Sequence, residues 1–204
     1  MDWYSGAVNE AVMSTGNPHL GVLLTPMMGN NPDLTRIKWG ADTGCFNQPE
    51  KHDDERYLDW LDRKPRETNV FATAPDVVGD AWATWERSKP MLWRIRELGF
   101  NAALVAQDGI EDMRIEWDRF DTLFMGGTLE WKLGPVCYEV GLEAKRRGKH
   151  LHWGRVNSLK RLFRARKAHA DSADGTYITY GPDILLPRVL RWLEIVNAQG
   201  VLAL

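Results

Sequence analysis

Short runs of apolar residues recur along this chain at intervals that leave room for a helix between them. They are LGVLL (20–24), IKWG (37–40), VFATA (70–74), AALVA (102–106), TLFM (122–125) and HLHW (150–153), with a weaker run just before Asp174. Runs this short and this apolar predict strands buried on both faces. The intervening segments carry apolar residues at helical spacing. Residues 80–98 place Trp82, Trp85, Leu92, Ile95 and Leu98 among the apolar positions, and Gly99 is a natural stop. Residues 129–147 read as a second helix ended by Gly148, residues 158–168 as a third with Asn157 or Ser158 as its cap, and residues 183–197 as the last.

Strand and helix therefore alternate along nearly the whole chain, which predicts one domain, 1–204, built on a parallel sheet covered by helices. An open doubly wound sheet and a (β/α)8 barrel both fit that alternation. The strand ends separate them. Asp42 follows the second run, Asp76 and Asp80 the third, Gln107 and Asp108 the fourth, Gly126 and Gly127 the fifth, Gly154 and Arg155 the sixth, and Asp174 the last. A barrel draws its site from the ends of many strands, whereas an open sheet concentrates its site at one switch point. The expected fold is a compact TIM-type barrel of the α/β class. At 204 residues it is shorter than the usual ~250, so one strand or helix is expected to be reduced or missing.

Composition narrows the setting. With 44% hydrophobic and 26% charged residues the chain has an ordinary globular balance. No apolar run approaches the ~18 residues of a membrane span, and MDWYSGAVNE has neither the basic start nor the apolar stretch of a signal peptide. Two cysteines, Cys45 and Cys137, suit a reducing compartment and are too few for a cysteine-rich zinc site. A cytoplasmic location is expected. The net charge of −2 conceals a segment, residues 145–169, with ten Lys or Arg and no acidic residue. Such a segment reads either as a polyanion contact or as a solvated helix face. Arg155, Lys160, Arg161 and Arg164 are the candidate contacts to a nucleic-acid backbone, with the start of the following helix as a phosphate site. Lys132, beside the glycine turn, is a further candidate or a plain surface lysine.

No phosphate-binding or dinucleotide loop and no nucleophile elbow is present, so no cofactor is expected. His150 and His152 alternate on one strand, but no third ligand of suitable spacing follows, and structural or substrate-contacting roles are favoured over a metal. Trp82, Trp85, Trp93 and Trp192 fall on apolar helix faces and read as core, while Trp39 and Trp153, near strand ends, are better candidates for stacking on a base. Asp42, in Asp42-Thr43-Gly44, and Asp174, in Asp174-Gly175-Thr176, each resemble turn residues when taken singly. Two carboxylates in one cleft are also what glycosidic-bond chemistry requires, one to attack the anomeric carbon and one to handle protons.

The ordered motifs resemble those of the tRNA-guanine transglycosylases, and more closely their small phage relatives, the deazapurine DNA modification proteins. The resemblance spans residues 20–187. Asp42-Thr43-Gly44-Cys45-Phe46 is similar to the family's D-S-G-G-F, whose Asp is the general acid/base. Pro75-Asp76-Val77-Val78-Gly79-Asp80 resembles the strand and loop that bring an Asp to the purine's Watson–Crick edge, and Ala106-Gln107-Asp108-Gly109 resembles V-Q-G-G, whose Gln contacts the base. Phe124-Met125-Gly126-Gly127 matches the glycine turn whose amides approach the base. His152-Trp153-Gly154-Arg155-Val156-Asn157-Ser158 resembles the turn that opens a helix near phosphate. Asp171-Ser172-Ala173-Asp174 resembles the segment whose last Asp is the nucleophile. The resemblance implies base exchange through an aspartyl-glycosyl ester. In that chemistry Asp174 attacks, Asp42 moves protons, Asp80 or Asp76 reads the base with Gln107, and Gly126 or Gly127 supplies a backbone amide. The tRNA enzymes carry a C-x-C-x-x-C zinc motif beyond the nucleophile. The residues after Asp174 contain no cysteine, so the resemblance implies DNA as the nucleic acid, a 7-deazaguanine such as 7-cyano-7-deazaguanine as the incoming base, and no metal. A tRNA-type exchange, a nucleoside or glycoside hydrolase on the same barrel, and a non-catalytic nucleic-acid binding module are the alternatives.

Overall fold

The computed structural model describes residues 1–29, 31–45 and 52–199. Eight parallel strands close into a barrel in chain order: β1 (Asp2–Ser5), β2 (Leu20–Leu24), β3 (Trp39–Ala41), β4 (Asn69–Thr73), β5 (Ala102–Ala106), β6 (Thr122–Met125), β7 (His150–Trp153) and β8 (Ser172–Gly175). β8 pairs with β1 through Asp2 to Ser5, which closes the ring. The helices are α1 (Glu10–Ser14), α2 (Asp54–Asp62), α3 (Ala81–Glu97), α4 (Leu129–Leu133), α5 (Pro135–Arg146), α6 (Leu159–Lys167) and α7 (Pro182–Gln199). The chain is thus a (β/α)8 barrel. No helix among the described residues is long and apolar enough to cross a membrane.

The strand that the apolar runs do not announce is β1, whose single apolar pair Trp3-Tyr4 is too short to declare a strand by pattern. It is held instead by pairing on both sides, to β2 and to β8. What is reduced is the helical layer. α1 has five residues, and a single 3-10 turn, Leu34–Arg36, is the helical structure described between β2 and β3. The helix expected over 129–147 is two helices, because Pro135 has no N–H to continue the ladder and pushes Gly134 to ψ 162. α3 and α6 start where capping chemistry dictates, with the side chains of Asp80 and Ser158 accepting from Ala83 N and Arg161 N.

Two apolar layers result. The larger lies between strands and helices and holds Trp3, Trp39, Leu92, Ile95, Trp153 and Leu193. The smaller, Tyr4, Phe71, Ala103, Val105 and Phe124 with Leu23 and Val70 against it, fills the barrel itself. The lumen fits its large rings by placing glycine opposite them. A Cβ at Gly40 would stand 2.6 Å from Phe71 Cζ, and one at Gly21 would overlap the Tyr4 ring. Trp39 and Trp153 therefore belong to the wall rather than to a stacking platform, with 0% and 4% exposure. On α3 Trp85 is buried, but Trp82 and Trp93 are 64% and 63% exposed, contrary to the core role their spacing suggested.

Candidate active site

The carboxyl ends of the strands surround a cavity of about 400 Å³ lined by Asp42, Asp76, Gln107, Gly126, Arg155 and Asp174, with Leu23, Met28, Val105 and Phe124 as its apolar wall. The first six of these come from six successive strands, β3 to β8, as expected when βα loops converge on one mouth. Phe46, the last residue of the Asp42 motif, lies outside the described residues.

Asp42 leaves β3 at the cavity edge and its Oδ1 accepts from Gly44 N at 2.7 Å. Gly44 holds φ at 74°, the left-handed conformation that lets its N–H turn back to that oxygen. Burial pushes the Asp42 carboxyl from its ordinary 3.8 up to about 7; the Gly44 hydrogen bond opposes this, and the nearby charges of Asp76 and Asp174 reinforce it. A carboxyl poised there can both give and take a proton at neutral pH.

Asp76 lies at the start of the β4–α3 loop. Its Oδ2 accepts from Gln107 Nε2 at 2.5 Å and its Oδ1 from Cys45 Sγ at 2.9 Å. Gln107 is buried at the end of β5, and its Oε1 accepts from Gly79 N at 2.9 Å, which fixes which end of the amide faces Asp76. Cys45 receives a hydrogen bond from Thr43 Oγ1 at 3.0 Å, and burial with the Asp76 charge pushes its thiol up to about 12. It therefore supports Asp76 as a neutral donor and is not a nucleophile. Asp80 stands apart. It is exposed, its Oδ1 is spent capping α3, and it does not line the cavity. Of the two acidic residues the sequence left open, the structure brings Asp76 to the cavity.

Asp174 sits inside β8, not after it, because the ladder to β1 runs on through Gly175. Its Oδ1 accepts from Arg155 N at 3.2 Å and its Oδ2 pairs with His152 Nε2 at 3.0 Å. Arg155 adopts φ 61°, an uncommon conformation for a residue with a Cβ and one that points its N–H at Asp174. Its guanidinium reaches across to Gly127 O at 2.5 Å. The glycine turn departs from expectation in one respect. Gly126 N donates to Ala106 O at 3.0 Å, so that amide is spent on the strand ladder and cannot face a ligand. Gly126 is small because a Cβ there would meet Val105 at 2.5 Å and Gln107 Nε2 at 2.9 Å.

The basic segment does not form one patch. Residues 145–149 precede β7 and lie at the amino end of the barrel, whereas Arg155 and the start of α6 follow β7 and lie at the cavity end. Lys145 pairs with Asp171 at 2.6 Å, and Arg146 and Arg147 both pair with Glu143 at 2.7 Å. On α6, Arg164 donates to the carbonyl of Leu133 and Arg161 to that of Arg155, so these arginines tie loops together, while Lys160 is exposed. Lys132 is buried, not at the surface. It donates to Gly154 O at 2.9 Å, and burial, with Arg155 nearby, lowers its ammonium to about 8. It braces the β7 turn from beneath, out of reach of a nucleic-acid backbone.

His152, read from the sequence as structural or substrate-contacting, is the residue for which the sequence offered no partner. It is fully buried within the lumen, 4.5 Å from the Phe124 ring, 4.6 Å from Phe71 and stacked on Tyr4 at 5.7 Å, centroid to centroid. The alternation of His150 and His152 with apolar residues was the available signal, since it places both on one face of β7, but nothing in the sequence names Asp174 as a partner. Among the described residues no three His, Cys, Asp or Glu side chains form a group that could hold a metal ion.

Neither the models of known protein families nor the curated proteins match this chain.

Proposed function

We propose that this chain exchanges guanine in DNA for a 7-deazaguanine base through a covalent glycosyl ester on Asp174. The observation that carries the reading is the single cavity lined by Asp42, Asp76, Gln107 and Asp174. It holds a nucleophile, a carboxyl able to change protonation near neutral pH, and a donor–acceptor pair suited to a purine edge.

The target nucleotide is extruded from the stack into the barrel mouth, because C1′ of a stacked base is out of reach. An oxygen of Asp174 forms a bond to C1′ as the C1′–N9 bond breaks, and the electron pair leaves with guanine. Asp42, protonated, gives its proton to the departing base. An incoming 7-deazaguanine then occupies the same place. Its N9 bonds to C1′, its N9 proton passes to Asp42, and the C1′–oxygen bond breaks to restore the Asp174 carboxylate. Asp76 accepts from the ring N–H and exocyclic amine on the Watson–Crick edge. A carboxylate has about four acceptor positions, and Gln107 and Cys45 fill two of them. The second Nε2 hydrogen of Gln107 and the Gly127 amide serve the carbonyl oxygen. A base without these groups leaves buried partners unpaired, which is how such a pocket selects. Lys160 and the guanidinium of Arg155 are the contacts proposed for the DNA backbone. The choice of DNA over tRNA follows from the closer resemblance to the phage branch.

The test is nucleoside mass spectrometry of guanine-containing DNA incubated with the protein and 7-cyano-7-deazaguanine. Incorporation in the wild type, and its loss together with the covalent adduct in Asp174→Ala, is the expected result. Release of guanine without incorporation would make the chain a hydrolase. Exchange that survives Asp174→Ala would remove the proposed nucleophile.

A further inference from the structure

We infer that His152, backed by Ser172, is a positioning residue for Asp174 and assists the departure of its carboxylate from the sugar. The inference rests on the reading of Asp174 as the nucleophile.

Both ring nitrogens of His152 have partners inside the barrel. Nε2 lies 3.0 Å from Asp174 Oδ2 and Nδ1 2.8 Å from Ser172 Oγ. A carboxylate only accepts, so Nε2 carries the hydrogen, and in the neutral ring Nδ1 then accepts from the Ser172 hydroxyl. Ser172 Oγ in turn accepts from His150 Nε2 at 2.8 Å. The hydrogen bonds run in one direction, from His150 through Ser172 and His152 to Asp174. The rings of Tyr4, Phe71 and Phe124 pack around the imidazole and hold its plane. Burial also lowers the affinity of the imidazole for a proton, in keeping with a neutral ring.

This arrangement has separate consequences for the two chemical steps. With Oδ2 held by His152 and Oδ1 by the Arg155 amide, the carboxylate is confined to one rotamer before attack. When the ester breaks, the electron pair of the C1′–oxygen bond returns to Asp174. The fixed N–H in an apolar lumen stabilises the charge that develops there. A histidine that merely filled the core would not affect how readily the carboxylate leaves.

The experiment follows the covalent adduct. Wild-type protein and guanine-containing oligonucleotide are mixed without free base, the adduct is measured by denaturing electrophoresis and intact mass, and turnover is started with free guanine. His152→Phe keeps an aromatic ring among Tyr4, Phe71 and Phe124 but removes the donor. Its adduct is expected to persist about ten-fold longer after the chase, which corresponds to about 1.4 kcal/mol. His152→Gln can present an N–H near the same place and is expected to stay within about three-fold of wild type. Ser172→Ala leaves the imidazole in place without its anchor, gives a smaller lengthening, and tests the same idea should the Phe variant fail to fold. A wild-type adduct together with a His152→Phe adduct of unchanged lifetime overturns the inference, as does a Gln variant no better than Phe. A wild type that forms no adduct overturns the proposed function, and the role of His152 with it.

Discussion

Replacing Asp42 by Asn should make the protein more stable at pH 8 and leave it nearly unchanged at pH 4. The side chain is carried from an ordinary 3.8 to about 7, chiefly by burial at the cavity edge. The folded state therefore keeps a proton that the unfolded chain has released, across the window between those two values. Stability from this group is complete below the lower value and declines as pH rises, until it levels off above about 7. At about 1.4 kcal/mol per pH unit the full span amounts to about 4 kcal/mol, and cavity water reduces this, so a gain of about 2–4 kcal/mol for Asn at pH 8 is expected. Asn retains an oxygen to accept from Gly44 N and carries no charge to desolvate or to repel Asp76 and Asp174. The assay is urea unfolding followed by tryptophan fluorescence at pH 4, 5, 6, 7 and 8, with both proteins in the same buffers. His150 and His152 are present in both proteins, so their contribution largely cancels in the difference, which reports Asp42 and its coupling to Asp76 and Asp174. Parallel curves, or a wild type that gains on the variant as pH rises, would refute the claim that Asp42 is held protonated. The same variant should retain base binding while losing exchange.

Asp80→Ala should cost about 0.5–2 kcal/mol of stability through loss of the α3 cap and leave base exchange intact, measured by urea unfolding and incorporation in parallel; loss of base binding would return Asp80 to the pocket. Gly40→Ala, which sets a Cβ 2.6 Å from Phe71 Cζ, should destabilise by about 1–3 kcal/mol, and a neutral outcome would show that the lumen can repack around the ring. Lys160→Ala should reduce the slope of log affinity against log salt for DNA by about one, whereas Arg164→Ala should leave that slope in place and lower stability, because its guanidinium is engaged with the Leu133 carbonyl.

Much of the architecture was legible in the chain. Runs buried on both faces with helices between them require a parallel sheet, and polar residues at successive strand ends indicate a barrel. Capping chemistry narrowed the start of α6 to Asn157 or Ser158, since a cap is a local interaction and leaves a local signature, and Ser158 is the residue that caps it. Misreadings arose where the deciding contact is remote in sequence. β1 is a strand because β2 and β8 pair with it, and Trp82 and Trp93 are exposed because the α3 stripe they share is left uncovered by the rest of the fold.

The site divides along the same line. The residues and order of Asp42, Gln107, Gly126, Arg155 and Asp174, with Asp76 or Asp80 after the first, come from the sequence alone, because each lies near or just past the end of its own strand and barrel topology gathers strand ends. Only the tertiary structure decides between Asp76 and Asp80, spends the Gly126 amide on Ala106, turns Lys132 beneath the β7 turn, and sets His152 against Asp174. Those outcomes depend on burial and on hydrogen-bond partners from different strands. Both are properties of the closed barrel, and no single segment contains them.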